Sequence, residues 1–239
     1  MPREPTAAGS GAHREPELLD RPGLPFEERW RAFADLARVN RLLLGNLSVL
    51  RTLAPRLAAI GGRQRLLDVG TGTGETAALL ASEVARRGAG VAVVGLDRGL
   101  SHLAIGRLRA PGQLRVVGDA SALPFRDGAF DWALSTLFFH HFDAAGNRRI
   151  LSEMRRVARR ASAVVDLRRS WMTTLLARLL LPLLGLARTA RHDGLVSVAR
   201  ASTLAEAAEV AAGLPVEELR RRFPCRISLV VAGGGTPRA

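Results

Sequence analysis

Three carboxylates in this chain each close an apolar run. Asp68 follows Leu66-Leu67, Asp97 follows Val93-Val94-Gly95-Leu96, and Asp119 follows Val116-Val117-Gly118. Apolar residues on consecutive positions suit strands covered on both faces. Three acids at the tips of successive strands would ring one crevice with hydrogen-bond acceptors. The first run passes directly into Gly70-Thr71-Gly72-Thr73-Gly74-Glu75. Glycines at alternate positions let a backbone pass close to a bound molecule.

The ligand can be narrowed by chemistry. A phosphate-binding Walker loop needs a Lys after its second glycine, and this chain contains no Lys. A dinucleotide loop needs a third glycine where Glu75 stands, at the helix start that must receive pyrophosphate. A carboxylate there would compete with the phosphates. S-adenosylmethionine carries a sulfonium and an ammonium and no phosphate, so the acids then become an advantage. Asp68 can face the ammonium. Asp97 can accept from both ribose hydroxyls. Asp119 can take the adenine amino group, and the Ala120 N–H can take a ring nitrogen. Glu75 can also serve the following helix as an N-terminal acid.

The elements that must hold these groups alternate along the chain. Strands are expected at Arg65–Val69, Val91–Leu96, Leu114–Val117, Ala129–Ser135 and Ala163–Leu167, and near Pro215–Phe223 and Arg226–Ala232. Helices are expected at Glu27–Arg38, Arg41–Ile60, Glu75–Arg87, Leu100–Arg109 and Asn147–Arg159, and across 171–190. Thr203-Leu204-Ala205-Glu206 is a capping box opening one more. The alternation implies an α/β fold, a doubly wound and mostly parallel sheet with helices on both faces. The closing pair of strands reads as a hairpin, which makes one strand antiparallel.

Composition limits the setting. The 239 residues and 47% hydrophobic content suffice for one core. The net charge of +13 comes from Arg spread along the chain, so it does not favour nucleic acid. A single Cys225 allows no internal disulfide or cysteine-held metal, and no metal site is expected. A reducing cytoplasm is the natural setting. The opening MPREPTAAGSGAHREPELLD lacks the apolar core of a secretory signal and reads as a disordered arm over residues 1–17. Gly233–Ala239 reads as a frayed tail.

The segments LLDVGTGTGE, VVGLDRG, VVGDASALPFRDGAFDWALSTLFFHHF and ILSEMRRVARR resemble the class I S-adenosylmethionine-dependent methyltransferases, in the branch of quinone-biosynthesis and related small-molecule enzymes. The resemblance covers roughly residues 60 to 170. It implies a Rossmann-like seven-stranded sheet whose last strand is antiparallel. It implies S-adenosylmethionine as cofactor, with Asp68, Gly70, Thr71, Gly72 and Gly74 at the methionine end. Asp97 then holds the ribose, Arg98 lies beside the adenine, Asp119 and Ala120 contact the base, and Ser135 lies beneath the cofactor. Residues 18–60 become a helical lid, and 61–239 the methyltransferase domain, with a Leu-rich insert at about 171–200.

Methyl transfer to oxygen is helped by a base. The candidates are His140 and His141 after the fourth strand, and His192 with Asp193 in a turn before Gly194. The leucines of 171–181 can wall a hydrophobic acceptor such as a phenol, a polyketide or a quinol. O-methylation is the first expectation and C-methylation the second. Arg168, Arg169 and Arg178 can bring the insert to an anionic membrane surface as a peripheral contact. The expected assembly is a monomer or homodimer. An RNA or protein methyltransferase is the alternative, although no Asn/Asp-Pro-Pro-aromatic motif follows the fourth strand. A non-catalytic S-adenosylmethionine-binding protein is the third possibility.

Overall fold

The computed structural model describes residues 17–21 and 23–235. Residues 1–16 of the expected arm and 236–239 of the expected tail lie outside the described residues. Seven strands run β1 Arg63–Val69, β2 Gly90–Asp97, β3 Leu114–Val117, β4 Phe130–Thr136, β5 Ala158–Leu167, β6 Val216–Arg222 and β7 Arg226–Ala232. They form one sheet in the order β3-β2-β1-β4-β5-β7-β6. β7 is antiparallel to both β5 and β6, and the remaining pairs are parallel.

Successive side chains of a strand point to opposite faces, and β1 shows it. Leu67 and Val69 enter one core with Ile150, Leu151 and Met154, while Leu66 enters the other with Leu53, Leu57 and Leu80. The first face is covered by α5 (Ala144–Val157) and α8 (Leu204–Val210), the second by α2 (Gly45–Ile60) and α3 (Glu75–Arg86). The chain also forms α1 (Phe26–Leu42), α4 (Leu100–Arg109), α6 (Trp171–Leu183) and α7 (Arg188–Arg200). The capping box is present, with Thr203 accepting from the Glu206 N–H and Glu206 from the Thr203 N–H.

The structure corrects several boundaries. β5 begins five residues before the expected Ala163, because Ala158–Ala161 pairs with β4, and this sheet contact overrides the helix propensity of Arg159 and Arg160. The helical stretch 171–190 divides into α6 and α7 around Gly185, which takes a φ of 61°. Arg41 belongs to α1, since the break falls at Leu44. Gly233, Gly234 and Gly235 are bonded to the carbonyls of Arg160, Arg155 and Ala158, so this part of the tail is docked. Glu17, the last residue of the expected arm, is buried.

Two neighbouring strands, β1 and β4, leave the sheet in opposite crossover directions, and their carboxyl ends open the crevice where open α/β sheets bind ligands. Parallel register sets Val69 beside Leu96 and Asp97 beside Val117. The tips of β1, β2 and β3 therefore meet at one edge.

Candidate active site

A cavity of about 1310 Å³ opens at that edge. It is larger than the several hundred Å³ that one small ligand needs, about 300–1,000 Å³. Gly72, Asp97, Arg98, Asp119 and Ala120 line one end, and Leu176, Ala177, Leu180 and Leu181 of α6 line the other.

At the first end the carboxylates are held differently. Asp97 accepts from the Gly72 N–H at 2.9 Å and the Gly99 N–H at 2.8 Å. His102 of α4 stands 3.3 Å from the same carboxylate. Burial works against ionisation of Asp97, but His102 and the two N–H groups outweigh it and lower its pKa. Asp68 is buried behind the loop and does not reach the cavity wall. It accepts from Thr71 Oγ1 at 2.6 Å. Burial pushes its pKa up to about 6, against that hydrogen bond and with the help of the Asp97 charge. Asp119 is exposed, and its Oδ1 accepts from the Ser121 N–H and hydroxyl, each at 2.8 Å.

Other expected residues sit elsewhere. The Ser135 hydroxyl is buried and donates to the Val69 carbonyl at 2.9 Å, which ties β4 to β1. Gly74 packs against Gln113, where a Cβ would come within 2.4 Å of the amide oxygen. Neither residue lines the cavity. Glu75 does not line the cavity. Arg109 grips it through Nε at 2.8 Å and Nη2 at 3.0 Å, and Arg109 lies over the Trp30 ring. Its charge is thus neutralised, so it does not repel a pyrophosphate as the sequence suggested. Gly70 does line the cavity, beside Phe138, whose ring would lie 2.4 Å from an added Cβ.

The histidines separate sharply. His192 and Asp193 lie within α7, not in a turn, and neither lines the cavity. The buried Asp193 accepts from the Leu18 N–H at 2.7 Å and the Leu19 N–H at 3.0 Å, so it anchors the N-terminal turn. His140 and His141 both line the cavity. His140 Nδ1 faces Asp166 at 2.8 Å and its Nε2 faces Glu17 at 3.6 Å. Burial disfavours the imidazolium, but the two carboxylates outweigh it and raise the pKa to about 9. His140 therefore keeps its proton at neutral pH. His141 Nε2 lies 3.8 Å from the other Glu17 oxygen, and Ser197 donates to Glu17 at 2.7 Å.

Sequence reasoning missed Glu17, Asp166 and His102. Glu17 fell in a stretch with the composition of a disordered arm. Asp166 ended a strand whose tip was not counted with the first three. The ligand atoms of Glu17, His140 and His141 lie within 4.8 Å of one another, which a cation could also satisfy, although no metal was expected.

The Leu137 backbone at the head of this group has a φ of 52°, a left-handed conformation that is costly for Leu. It turns the chain out of β4 so that Phe138 to His141 fold back over the sheet edge.

Residues 67–165 match the family described as "Methyltransferase domain". An uncharacterized methyltransferase of Synechocystis is 30% identical over 151 residues, covering 62% of this chain and 68% of that protein. A ubiquinone/menaquinone biosynthesis C-methyltransferase UbiE of a Geobacter species is 34% identical over 136 residues, covering 54% of this chain and 56% of that protein. The chain spans about half the length of most curated relatives that it matches. A SAM-dependent methyltransferase from Aquifex aeolicus has the same fold, with a TM-score of 0.56 and 14% identity over 82% of this chain and 97% of that one. By its sheet order, its strand-tip acids and these likenesses, the chain belongs to the class I S-adenosylmethionine-dependent methyltransferases.

Proposed function

We propose that this chain methylates a small apolar acceptor bearing a phenolic or enolic group, on oxygen first and on carbon next. The carrying observation is a cavity that joins the strand-tip acids Asp97 and Asp119 to the leucine wall of α6. The name of the Geobacter relative lends support to carbon as an acceptor atom. The site lies beneath α1, α6 and α7, a poor fit to RNA or a protein as acceptor. We place the protein in the cytoplasm, where Cys225 stays reduced.

The residues present fit the cofactor. Asp68, behind the loop, is a buried carboxylate with a like charge nearby and no cation bonded to it among the described residues, a situation that an ammonium group on the cavity side of Gly70 and Gly72 would relieve across the loop or through water. In this reading Asp97 takes the ribose with the lone pairs that Gly72 and Gly99 leave free. Asp119 and Ala120 take the base, with Arg98 beside it. Gly70, Thr71 and Gly72 form the floor of the loop. When bound, S-adenosylmethionine supplies an electrophilic methyl group on a sulfonium.

His141 is the base in this proposal. Its side chain is partly exposed to the cavity, and Glu17 faces its Nε2. It can take the acceptor proton, and Glu17 stabilises the imidazolium that results. His140 already carries a proton and cannot serve. His192 and Asp193 leave the catalytic proposal for the structural reasons given above.

The outer surface of α6 supports a peripheral membrane contact. Trp171, Leu175, Leu179 and Leu183 repeat every fourth residue and are 78%, 46%, 56% and 80% exposed. A stripe of this kind marks a partner or a lipid surface, and the exposed Arg178 lies beside it. The same helix lines the cavity with Leu180 and Leu181, so an apolar acceptor could pass from lipid to site.

Five outcomes are expected. Calorimetry should show S-adenosylhomocysteine binding and no NAD(H) binding, and a labelled-methyl screen should favour phenols and quinols over bulk RNA; the reverse would refute the reading. Asp68→Asn should weaken cofactor binding by about tenfold or more. The same variant should melt higher than wild type at neutral pH. The folded pKa of Asp68 is raised from 3.8 to about 6, so its ionisation costs stability increasingly as pH rises across that window. The cost reaches about 3 kcal/mol above it. The difference in melting temperature should therefore vanish near pH 4, and a lower melting temperature at neutral pH would contradict the burial argument. His141→Ala should slow methylation by about a hundredfold or more while cofactor affinity stays nearly constant; an unchanged rate removes His141 from the role. Finally, wild type should float with vesicles of anionic phospholipid, and Trp171→Ser with Leu179→Ser should not. Wild type remaining at the bottom of the gradient would eliminate the membrane contact.

A further inference from the structure

Arg226 is a buried cation in the same cavity for which the reaction above has no use. It opens β7 and is only 9% exposed, yet it lines the cavity wall. Its Nη2 donates to Asn40 Oδ1 at 2.9 Å. Among the described residues no carboxylate lies within 4.0 Å of it, and no second hydrogen bond is made by its guanidinium. A guanidinium has five N–H donors, and a neutral amide oxygen leaves the charge uncompensated.

The nearest acid by strand pairing is already engaged. Leu167 pairs with Arg226 across β5 and β7, which brings Asp166 close. Asp166 accepts from His140 Nδ1 at 2.8 Å, from the His140 N–H at 3.1 Å and from the Leu167 N–H at 2.6 Å. Burial lowers the pKa of Arg226, and the more distant charge of Asp166 only partly opposes this.

The surroundings are built to hold the guanidinium in place. Gly45 is the first residue of α2, and a Cβ there would come 2.5 Å from Asn40 Oδ1 and 2.7 Å from Arg226 Nη2. The absence of a side chain lets Asn40 from α1 and Arg226 from β7 meet against the first turn of a 16-residue helix. Arg226 thus brings positive charge to the wall of a cavity that the α6 leucines also line. A planar fork of donors in a site of low polarity is suited to a carboxylate or to an ionised enol oxygen.

We propose that Arg226, held by Asn40, forms an anion subsite for the acceptor, which is an acidic aromatic or polyketide-type molecule anchored by one charged oxygen. The word acceptor rests on the methyl-transfer reading, whereas the preference for an anion rests on the wall itself. In this arrangement the subsite orients the molecule, and the leucines of α6 cover its apolar body.

The test uses the full chain saturated with S-adenosylhomocysteine, and hydroxynaphthoate as the probe in calorimetry. The acid should bind wild type about tenfold or more tightly than its methyl ester. Arg226→Gln should abolish that preference, and Arg226→Lys should keep part of it. Cofactor affinity should stay the same in both variants. Because an uncompensated buried charge is removed, Arg226→Gln should melt no lower than wild type. Para-nitrophenol, titrated below and above its ionisation, distinguishes an ionised hydroxyl from a carboxylate as the preferred oxygen. The proposal is overturned if wild type binds ester and acid equally, or if Arg226→Gln keeps the preference. If wild type fails to bind S-adenosylhomocysteine, the methyl-transfer reading falls instead, and the acid preference can still be measured without it.

Discussion

The dominant constraint in this structure is the burial of charge at the carboxyl edge of the sheet. Asp166 sits at the end of β5 out of reach of water, and an isolated carboxylate there would cost several kcal/mol. His140 answers it with its ring and its backbone N–H. The second ring nitrogen of the imidazolium then faces Glu17 at 3.6 Å. Glu17 belongs to no strand or helix of the core, so the N-terminal turn must be brought over the sheet to deliver it. Asp193 does this by holding the Leu18 and Leu19 N–H groups from α7. One buried acid thus recruits a chain of partners from the fifth strand, the loop after β4, the N-terminal turn and α7.

A similar dependence fastens α1 above the cofactor end. Arg29 donates to the Leu19 carbonyl and stands 3.3 Å from His102 Nε2, and Phe33 meets the His102 ring edge-on at 5.0 Å. His102 in turn supports Asp97. Trp30 covers Arg109, which holds Glu75. The helix expected to act as a lid is therefore tied to the residues that flank the glycine loop. The position of α1 and the geometry around the glycine loop therefore depend on the same contacts.

Much of the fold was legible because it depends on local rules. Alternating apolar runs and amphipathic segments marked all seven strands and most helices, whereas α7 beyond residue 190 was expected to be a turn. The capping box at Thr203 was recovered atom for atom, since its hydrogen bonds span only three residues. Boundaries failed where a distant partner decided them. Ala158 to Ala161 pairs with β4 and becomes strand, although its arginines favour helix. Glu75 illustrates the same limit in the site. Its position at a helix start was correct, but Arg109, 34 residues away, cancels the charge on which the sequence argument depended.

The sequence by itself determined the fold class, the strand-tip acids, the glycine loop and the resemblance to methyltransferases, because strand period, turn chemistry and motif spacing all lie within short windows. Only the tertiary structure decided what each charged side chain does. It put Asp193 and Ser135 into structural hydrogen bonds, moved His192 into a helix away from the cavity, and joined Glu17 to His140 and His141 across more than a hundred residues. The role of a titratable group follows from its desolvation and its neighbours. Both are set by packing between segments far apart in the chain, which no local pattern encodes.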